Sequence, residues 1–383
     1  MSVLPKNCLM SEHTKTIELE QIACPLCASP DTRRYVSVPD FLHGVPGHFH
    51  VVRCQPCRHL FMNPRPTLET LSMCYPGGYG PHRPAQAAER PPSPDSSRIT
   101  PSPDAAIAVP DSPQDSGTDG VPPAIDASTP WYLSRSVRAI PGLKQLYYWL
   151  TDTKSHVLPA APGPNAKALE LGCGTGQFLT ALQNAGWTCQ GVELVSAAVD
   201  EACRSGLSVH EGTLESAALP TATLDAMFAW AVLEHLPDVR ASLQEIHRIL
   251  KPGGLLAFSV PNAGCWEPMI FRDRWYVWEL PRHLHFFTPA RLRRLLHDAG
   301  FEKVEIVHQR NLLNIVGSVA LWWQRFFPRS RVAAWLLDYP NHPGLWGQLA
   351  MAPFAIGLAV LRQGGRLTVT ARCHKPQTEE LGS

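Results

Sequence analysis

The sequence predicts an α/β protein built on a doubly wound, mostly parallel sheet, with a small cysteine-paired head before it and an apolar helical insertion before its last strand. Three observations carry that expectation. Residues 131–309 alternate strand-like apolar runs with helical patterns, as βαβ units do. A glycine-rich turn, Gly172-Cys173-Gly174-Thr175-Gly176, separates an apolar run from a helical one, at the place where such sheets hold ligands, the carboxyl ends of their strands. Four cysteines, Cys24, Cys27, Cys54 and Cys57, come as two C-x-x-C pairs well ahead of that sheet.

Taken in order, residues 1–80 form the head. Between Pro81 and Pro130 twelve of fifty residues are proline and most of the others are Ala, Ser, Asp and Thr. Such a stretch buries too little surface to offset its ordering entropy, so 81–130 is expected to be a disordered linker. The body, 131–375, begins with a strand over Lys167–Gly172, a helix from Gln177 that stops at Gly186, and a strand over WTCQGVELV. DAMFAWAVLEHL, LQEIHRILKPGG and LLAFSVPN follow as strand, helix and strand, the helix expected to run to Pro252 and the two glycines after it. Thr288 and Pro289 start a helix that ends at Gly300, and FEKVEIVHQR alternates as a half-exposed strand. Two strongly apolar runs lie in the insertion 311–364, and GRLTVTARC closes the body as a strand.

Composition narrows the classes. A chain of 383 residues is no disulfide-stapled miniprotein. Its 34 Lys plus Arg against 33 Asp plus Glu leave a net charge of +1, without the global excess that nucleic-acid binding calls for, and the head's Arg33, Arg34, Arg53, Arg58 and Arg65 are balanced by acids. No run of 18 uninterrupted apolar residues suggests a membrane span. Eleven cysteines, an odd count, and no leader-like run in the first thirty residues predict a reduced, cytoplasmic protein.

In the glycine-rich turn the missing Cβ atoms let a ligand approach the backbone, and the following helix offers free N–H groups. The dinucleotide fingerprint is G-x-G-x-x-G. Here the third glycine comes one residue early and Glu170 precedes the first by two. Glu193, seventeen residues beyond Gly176, ends the next strand and is placed to accept from two ribose hydroxyls.

With ALELGCGTGQF, GVEL, LDAMFAWAVLEHLPD and ILKPGGLLAFSVPN in this order, the chain resembles the class I S-adenosylmethionine-dependent methyltransferases over about 131–309 and the last strand. The resemblance implies a Rossmann-like sheet of seven strands and S-adenosylmethionine as cofactor. It implies that Gly172, Gly174 and Gly176 line the methionine portion, that Glu170 helps hold its amino group, Glu193 the ribose, and Thr213 with Leu214 the adenine edge. An Asp common near that last position in relatives is missing here, where EGTLESAALP offers only Glu211 and Glu215.

An oxygen or nitrogen acceptor must lose a proton, and histidine suits that task near neutral pH. His235 follows the strand of the LEHLPD segment, and His283 and His285 lie in ELPRHLHFFTP, a segment similar to one in several saccharide, quinone and natural-product methyltransferases. The order of preference is His285, His235, His283, against packing or loop-capping roles for each.

Two C-x-x-C turns, Cys24/Cys27 and Cys54/Cys57, present four thiolates to one tetrahedral Zn²⁺, a closed structural site of the zinc-ribbon type. Such a metal replaces a core that a region this small cannot build. The run CRHLFMNPRPTLETLSMCYPGGY resembles the zinc-ribbon heads before some bacterial methyltransferase domains, where the head is expected to help dock the acceptor.

From Arg310 to Lys375 eight basic residues face one acid, Asp338, and Trp322, Trp323 and Trp346 stand at or near the ends of the apolar runs. Two readings stay open: peripheral binding to the inner face of a membrane, or packing as a pocket cover or dimer contact. The expectation is O-methylation of a small molecule, a sugar, a lipid-linked precursor or a quinone-like compound. The alternative is a non-catalytic module whose ribbon recruits a protein partner.

Overall fold

The computed structural model describes residues 17–75, 159–341 and 344–375; the expected linker 81–130 and the start of the body lie outside the described residues. The head is built from β1 (Leu19–Glu20), β2 (Thr32–Pro39), β3 (His48–Cys54), β4 (Leu60–Met62) and β5 (Arg65–Pro66). The body follows as β6 (Lys167–Leu171), α1 (Gln177–Asn184), β7 (Thr188–Glu193), α2 (Ser196–Arg204), β8 (Val209–Glu211), β9 (Leu224–Trp230), α3 (Val239–Ile249) and β10 (Leu250–Pro261). It ends with β11 (His285–Phe286), α4 (Pro289–Asp298), β12 (Phe301–His308), α5 (Leu313–Phe326), α6 (Arg331–Asp338), α7 (Leu345–Val360) and β13 (Arg366–Cys373).

The main sheet has 7 strands in the order β12-β13-β10-β9-β6-β7-β8. Only β13 runs against its neighbours β10 and β12. The chain winds outward from β6 through β7 to β8, then returns to β9 on the other side of β6. The β6/β9 boundary is therefore the topological switch point, where the strands' carboxyl ends open a crevice.

Strand periodicity builds the two layers. In β6 and β9, Leu169, Leu171, Met227 and Ala229 face a core with Val239, Leu243 and Ile246 of α3 and Leu292, Leu295 and Leu296 of α4. Their neighbours Ala168, Ala226, Phe228 and Trp230 face the other way, onto Phe178, Leu179 and Leu182 of α1. Two such faces explain why these strands read as unbroken apolar runs.

One boundary differs from the sequence reading. The helix stops at Ile249, and β10 already starts at Leu250, which pairs with Leu224 before the register shifts by Leu255. The Pro252-Gly253-Gly254 segment interrupts the strand's pairing rather than capping the helix. Between β12 and β13 the apolar runs form α5, α6 and α7.

The head does not stand apart. Its sheet has the order β11-β4-β3-β2, so one of its 4 strands is supplied by the body. Val38, Phe49, Val51, Leu60 and Met62 share a core with Trp275, Val277, Trp278, Leu284 and Phe286. Inside that junction Asp40 and Arg282 make a bidentate ion pair, at 2.8 and 2.9 Å, with both side chains fully buried. The guanidinium also donates to the Cys74 carbonyl at 3.1 Å. Although burial works against ionising Asp40, the Arg282 guanidinium and backbone N–H donors hold its carboxyl below the usual range.

Candidate active site

The glycine-rich turn leaves β6 at the switch point, and all three of its glycines have positive φ: 67° at Gly172, 54° at Gly174 and 82° at Gly176. L side chains rarely adopt that conformation. A Cβ at Gly172 would also stand 2.5 Å from Val232 Cγ2, in the loop after β9, and one at Gly176 would stand 2.1 Å from Leu207 Cδ1. Gly191 of β7 belongs to the same cradle, because a Cβ there would meet Cys173 Sγ at 2.5 Å. Spacing gave no sign of it, since its constraint comes from the turn folding down onto the next strand.

Glu193 ends β7 beside this turn. Its Oε2 accepts from Gly174 N–H at 2.9 Å, and its Oε1 accepts from the N–H groups of Leu194 and Val195 at 2.8 and 3.0 Å. The carboxylate is thus held in place by three backbone donors. Glu170 is buried at the carboxyl end of the central strand β6. Gly212 N–H donates to the Glu193 carbonyl at 2.9 Å, which brings the turn holding Thr213 and Leu214 next to that carboxylate. Thr213 is exposed, whereas the Leu214 side chain lies in the core, so only the backbone of Leu214 can meet a ligand. The candidate cofactor residues therefore converge on one crevice, and a glycine cradle, a helix start and a fixed carboxylate suit an adenosyl compound with a small amino-acid end.

Across the crevice, the loop after β9 holds Glu234 and His235. His235 Nδ1 lies 3.1 Å from the Arg282 carbonyl and 3.1 Å from the Tyr75 hydroxyl. A carbonyl only accepts, so Nδ1 carries the proton and Nε2 keeps the lone pair. Burial, with His283 nearby, pushes the His235 pKa down to about 3. His283 donates from Nδ1 to the Val277 carbonyl at 2.7 Å, and burial lowers its pKa too. The two rings meet edge to face with centroids 4.7 Å apart.

Glu234 is fully buried, and neither carboxyl oxygen has a hydrogen-bond partner among the described residues. Burial raises its pKa to about 8, so it is mostly protonated at neutral pH. One ligating atom each of Glu234, His235 and His283 lies within 4.8 Å of the others. A buried, unpartnered carboxyl beside two neutral imidazoles is a proton-handling arrangement.

His285, first in the sequence order of preference, is placed differently. Its Nε2 donates to the Leu236 carbonyl at 2.8 Å, which leaves Nδ1 to accept from His59 Nε2 at 3.4 Å. Both nitrogens are occupied and the residue is buried, its pKa pushed down to about 4 by burial. The side chain holds the loop after β9 rather than facing the crevice. Other contacts hold that loop from the head: Arg65 donates to the Pro237 carbonyl, and Arg240 of α3 donates to the Leu26 carbonyl at 2.6 Å.

The four head cysteines come together as their spacing predicts. Cys24 and Cys57 sulfurs are 3.5 Å apart, as are those of Cys27 and Cys54, and all four lie within 4.8 Å of one another. Zn–S bonds of about 2.3 Å in a tetrahedron place sulfurs about 3.8 Å apart, so the cluster fits that ion. Both turns have one geometry: Ala28 and Arg58, with φ of 58° and 63°, donate to the carbonyls of Cys24 and Cys54. Burial pushes the Cys54 thiol up to about 11, a cost that a divalent cation would reverse.

Residues 144–306 match the family described as "Methyltransferase domain". The chain is 30% identical over 198 residues to a malonyl-[acyl-carrier protein] O-methyltransferase of Serratia marcescens, covering 47% of this chain and 76% of that protein. It is 31% identical over 159 residues to a ubiquinone biosynthesis O-methyltransferase of Thiobacillus denitrificans, covering 38% of this chain and 68% of the relative. A solved S-adenosylmethionine-dependent methyltransferase from Archaeoglobus fulgidus superposes with a TM-score of 0.40 at 17% identity, covering 59% of this chain and 94% of that one.

Proposed function

Because the chain belongs to the S-adenosylmethionine-dependent methyltransferases, we propose that it methylates an oxygen of a small-molecule acceptor, with His235 as the base. Its membership makes it an enzyme and displaces the reading of a non-catalytic recruiting module. Bound S-adenosylmethionine supplies a methyl made electrophilic by the adjacent sulfonium. Gly172, Gly174 and Gly176 with Glu170 would hold the methionine end, Glu193 the ribose, and the Thr213–Leu214 turn the adenine. Alignment in a water-poor crevice is worth several kcal/mol in such transfers.

The observation that carries the base reading is His235: neutral, its proton fixed on Nδ1 by the Arg282 carbonyl, and its Nε2 without a hydrogen-bond partner among the described residues. A neutral imidazole takes a proton more readily from an acidic hydroxyl, such as the phenol of a quinone-like compound, than from a sugar alcohol. The names of the relatives agree, since one acts in ubiquinone biosynthesis and both are O-methyltransferases. When His235 takes the acceptor's proton, its positive charge favours ionisation of the nearby Glu234, which would release its own proton to solvent and leave a carboxylate that stabilises the imidazolium. His283 keeps the His235 ring in place, and His285 acts at one remove by positioning the loop. In the head, Cys24, Cys27, Cys54 and Cys57 would hold Zn²⁺, and Tyr75 carries the head's influence to His235.

Transfer of a labelled methyl from S-adenosylmethionine into fractionated metabolites tests the reaction. Label in phenolic ethers is expected; label only in N-methyl or C-methyl products overturns the oxygen reading. His235→Asn should lower kcat about 10²- to 10⁴-fold while leaving S-adenosylmethionine affinity unchanged. A comparable loss with His285→Asn and none with His235→Asn would move the base to His285.

A further inference from the structure

Helix α7 is exposed on the wrong kind of face. Its exposed positions, continued one residue past its end, are Trp346, Ala350, Pro353, Phe354, Gly357, Val360 and Leu361. At 100° per residue these fall within an arc of about 120° that holds no polar side chain. The exposure is large, 81% for Trp346, 71% for Phe354 and 76% for Val360. The other side of the helix meets the protein through buried Ala352 and Ala355. A surface helix in water shows the opposite pattern.

The two preceding helices also expose large apolar side chains. Exposed Trp322 and Phe326 of α5 stack edge to face, with centroids 5.1 Å apart, and Trp335 of α6 is 63% exposed. The helices α5 and α6 pack on each other, and the Tyr339 hydroxyl after α6 donates to the Gly344 carbonyl at the start of α7. Arg325, Arg329, Arg331 and Arg362, all exposed, border these helices, and Asp338 is the single acid between 313 and 364.

We propose that α5, α6 and α7 dock the protein on the surface of an anionic lipid bilayer. Interfacial helices bury an apolar face just below the headgroups and set arginines among them. At 16 residues α7 is about 24 Å long, short of a hydrocarbon core of about 30 Å, and no helix among the described residues is long and apolar enough to cross a membrane. It therefore lies along the surface. Charge decides against a second copy as the occupant, because pairing this face with itself would bring two sets of arginines together, whereas anionic headgroups neutralise them.

Sedimentation of the full chain with vesicles tests the inference, using phosphatidylcholine alone or with about a quarter phosphatidylglycerol. The protein should pellet with the anionic vesicles, less so as salt rises, with a blue shift of tryptophan emission. Trp346→Ser combined with Phe354→Ser, and separately Arg329→Glu combined with Arg331→Glu, should each weaken binding about tenfold or more. Both variants should keep the wild-type unfolding temperature and S-adenosylmethionine affinity, because none of these residues touches the crevice. A protein that stays in the supernatant with both vesicles overturns the proposal. So does equal binding by the apolar variant, or a wild-type dimer in light scattering that the same variant dissociates.

Discussion

Gly172 shows how much one hydrogen atom decides. Its backbone takes φ of 67°, and the space a Cβ would fill is occupied by Val232 Cγ2 from the loop that carries Glu234 and His235. Gly172→Ala therefore costs about 1–2 kcal/mol in backbone strain and also pushes on the loop that carries Glu234 and His235. The expected result is a lower unfolding temperature and about tenfold weaker S-adenosylmethionine binding by calorimetry. Adding Val232→Ala should recover part of the affinity, since it removes the clash and leaves the strain. The glycine was legible in the sequence because glycine spacing is a local signal. Glu234 was not: its chemistry comes from burial with no carboxyl partner among the described residues, and segments far away in the chain, such as Leu284, whose N–H donates to its carbonyl, close over it.

At the level of elements, the strand and helix order could be read because each run buries its own face, whereas β11 could not. It is two residues long and has no periodicity, and it exists only because β4 offers it an edge. The cysteine knuckles lie between these cases, local in spacing and long-range in effect. The first knuckle holds the start of α3 through the Leu26 carbonyl and Arg240, next to the loop that carries His235, and Arg65 of β5 reaches Pro237 of that loop. Metal analysis should give about one zinc per chain. Cys54→Ser should lose that zinc, lower the unfolding temperature, and reduce kcat more than S-adenosylmethionine affinity. A full-activity, zinc-free variant would leave the head without a part in catalysis.

The molecule as a whole has a pH signature that sums its buried groups. His59, His235, His283 and His285 are held below 6.5 by burial, while Glu234 and Glu267 are held above 4.5, at about 8 and about 7. Below 6.5 the unfolded chain takes up protons on these histidines that the folded chain refuses, so acidification removes stability. The two carboxyls act in reverse: above 4.5 the unfolded chain releases protons that the folded chain keeps, so their stabilisation is lost as pH rises toward 8. Four groups outweigh two in the range from 4.5 to 6.5, and above it only the carboxyls remain. Scanning calorimetry of the zinc-loaded protein should show the highest unfolding temperature near pH 6.5, with a steeper fall on the acid side. A curve that rises steadily to pH 8 would mean that Glu234 and Glu267 are ionised in the folded state.

The strand that the body lends to the head also orders events on the ribosome. His59 and His285 meet across 226 residues of chain. The knuckles can close as soon as Cys57 has emerged, but β4 then waits with a bare edge until about two thirds of the body has been made. A half-made chain therefore exposes a strand ready to pair with a neighbouring nascent chain. Co-translational aggregation should be most acute before residue 286 leaves the exit tunnel and should subside once β11 has zipped onto β4.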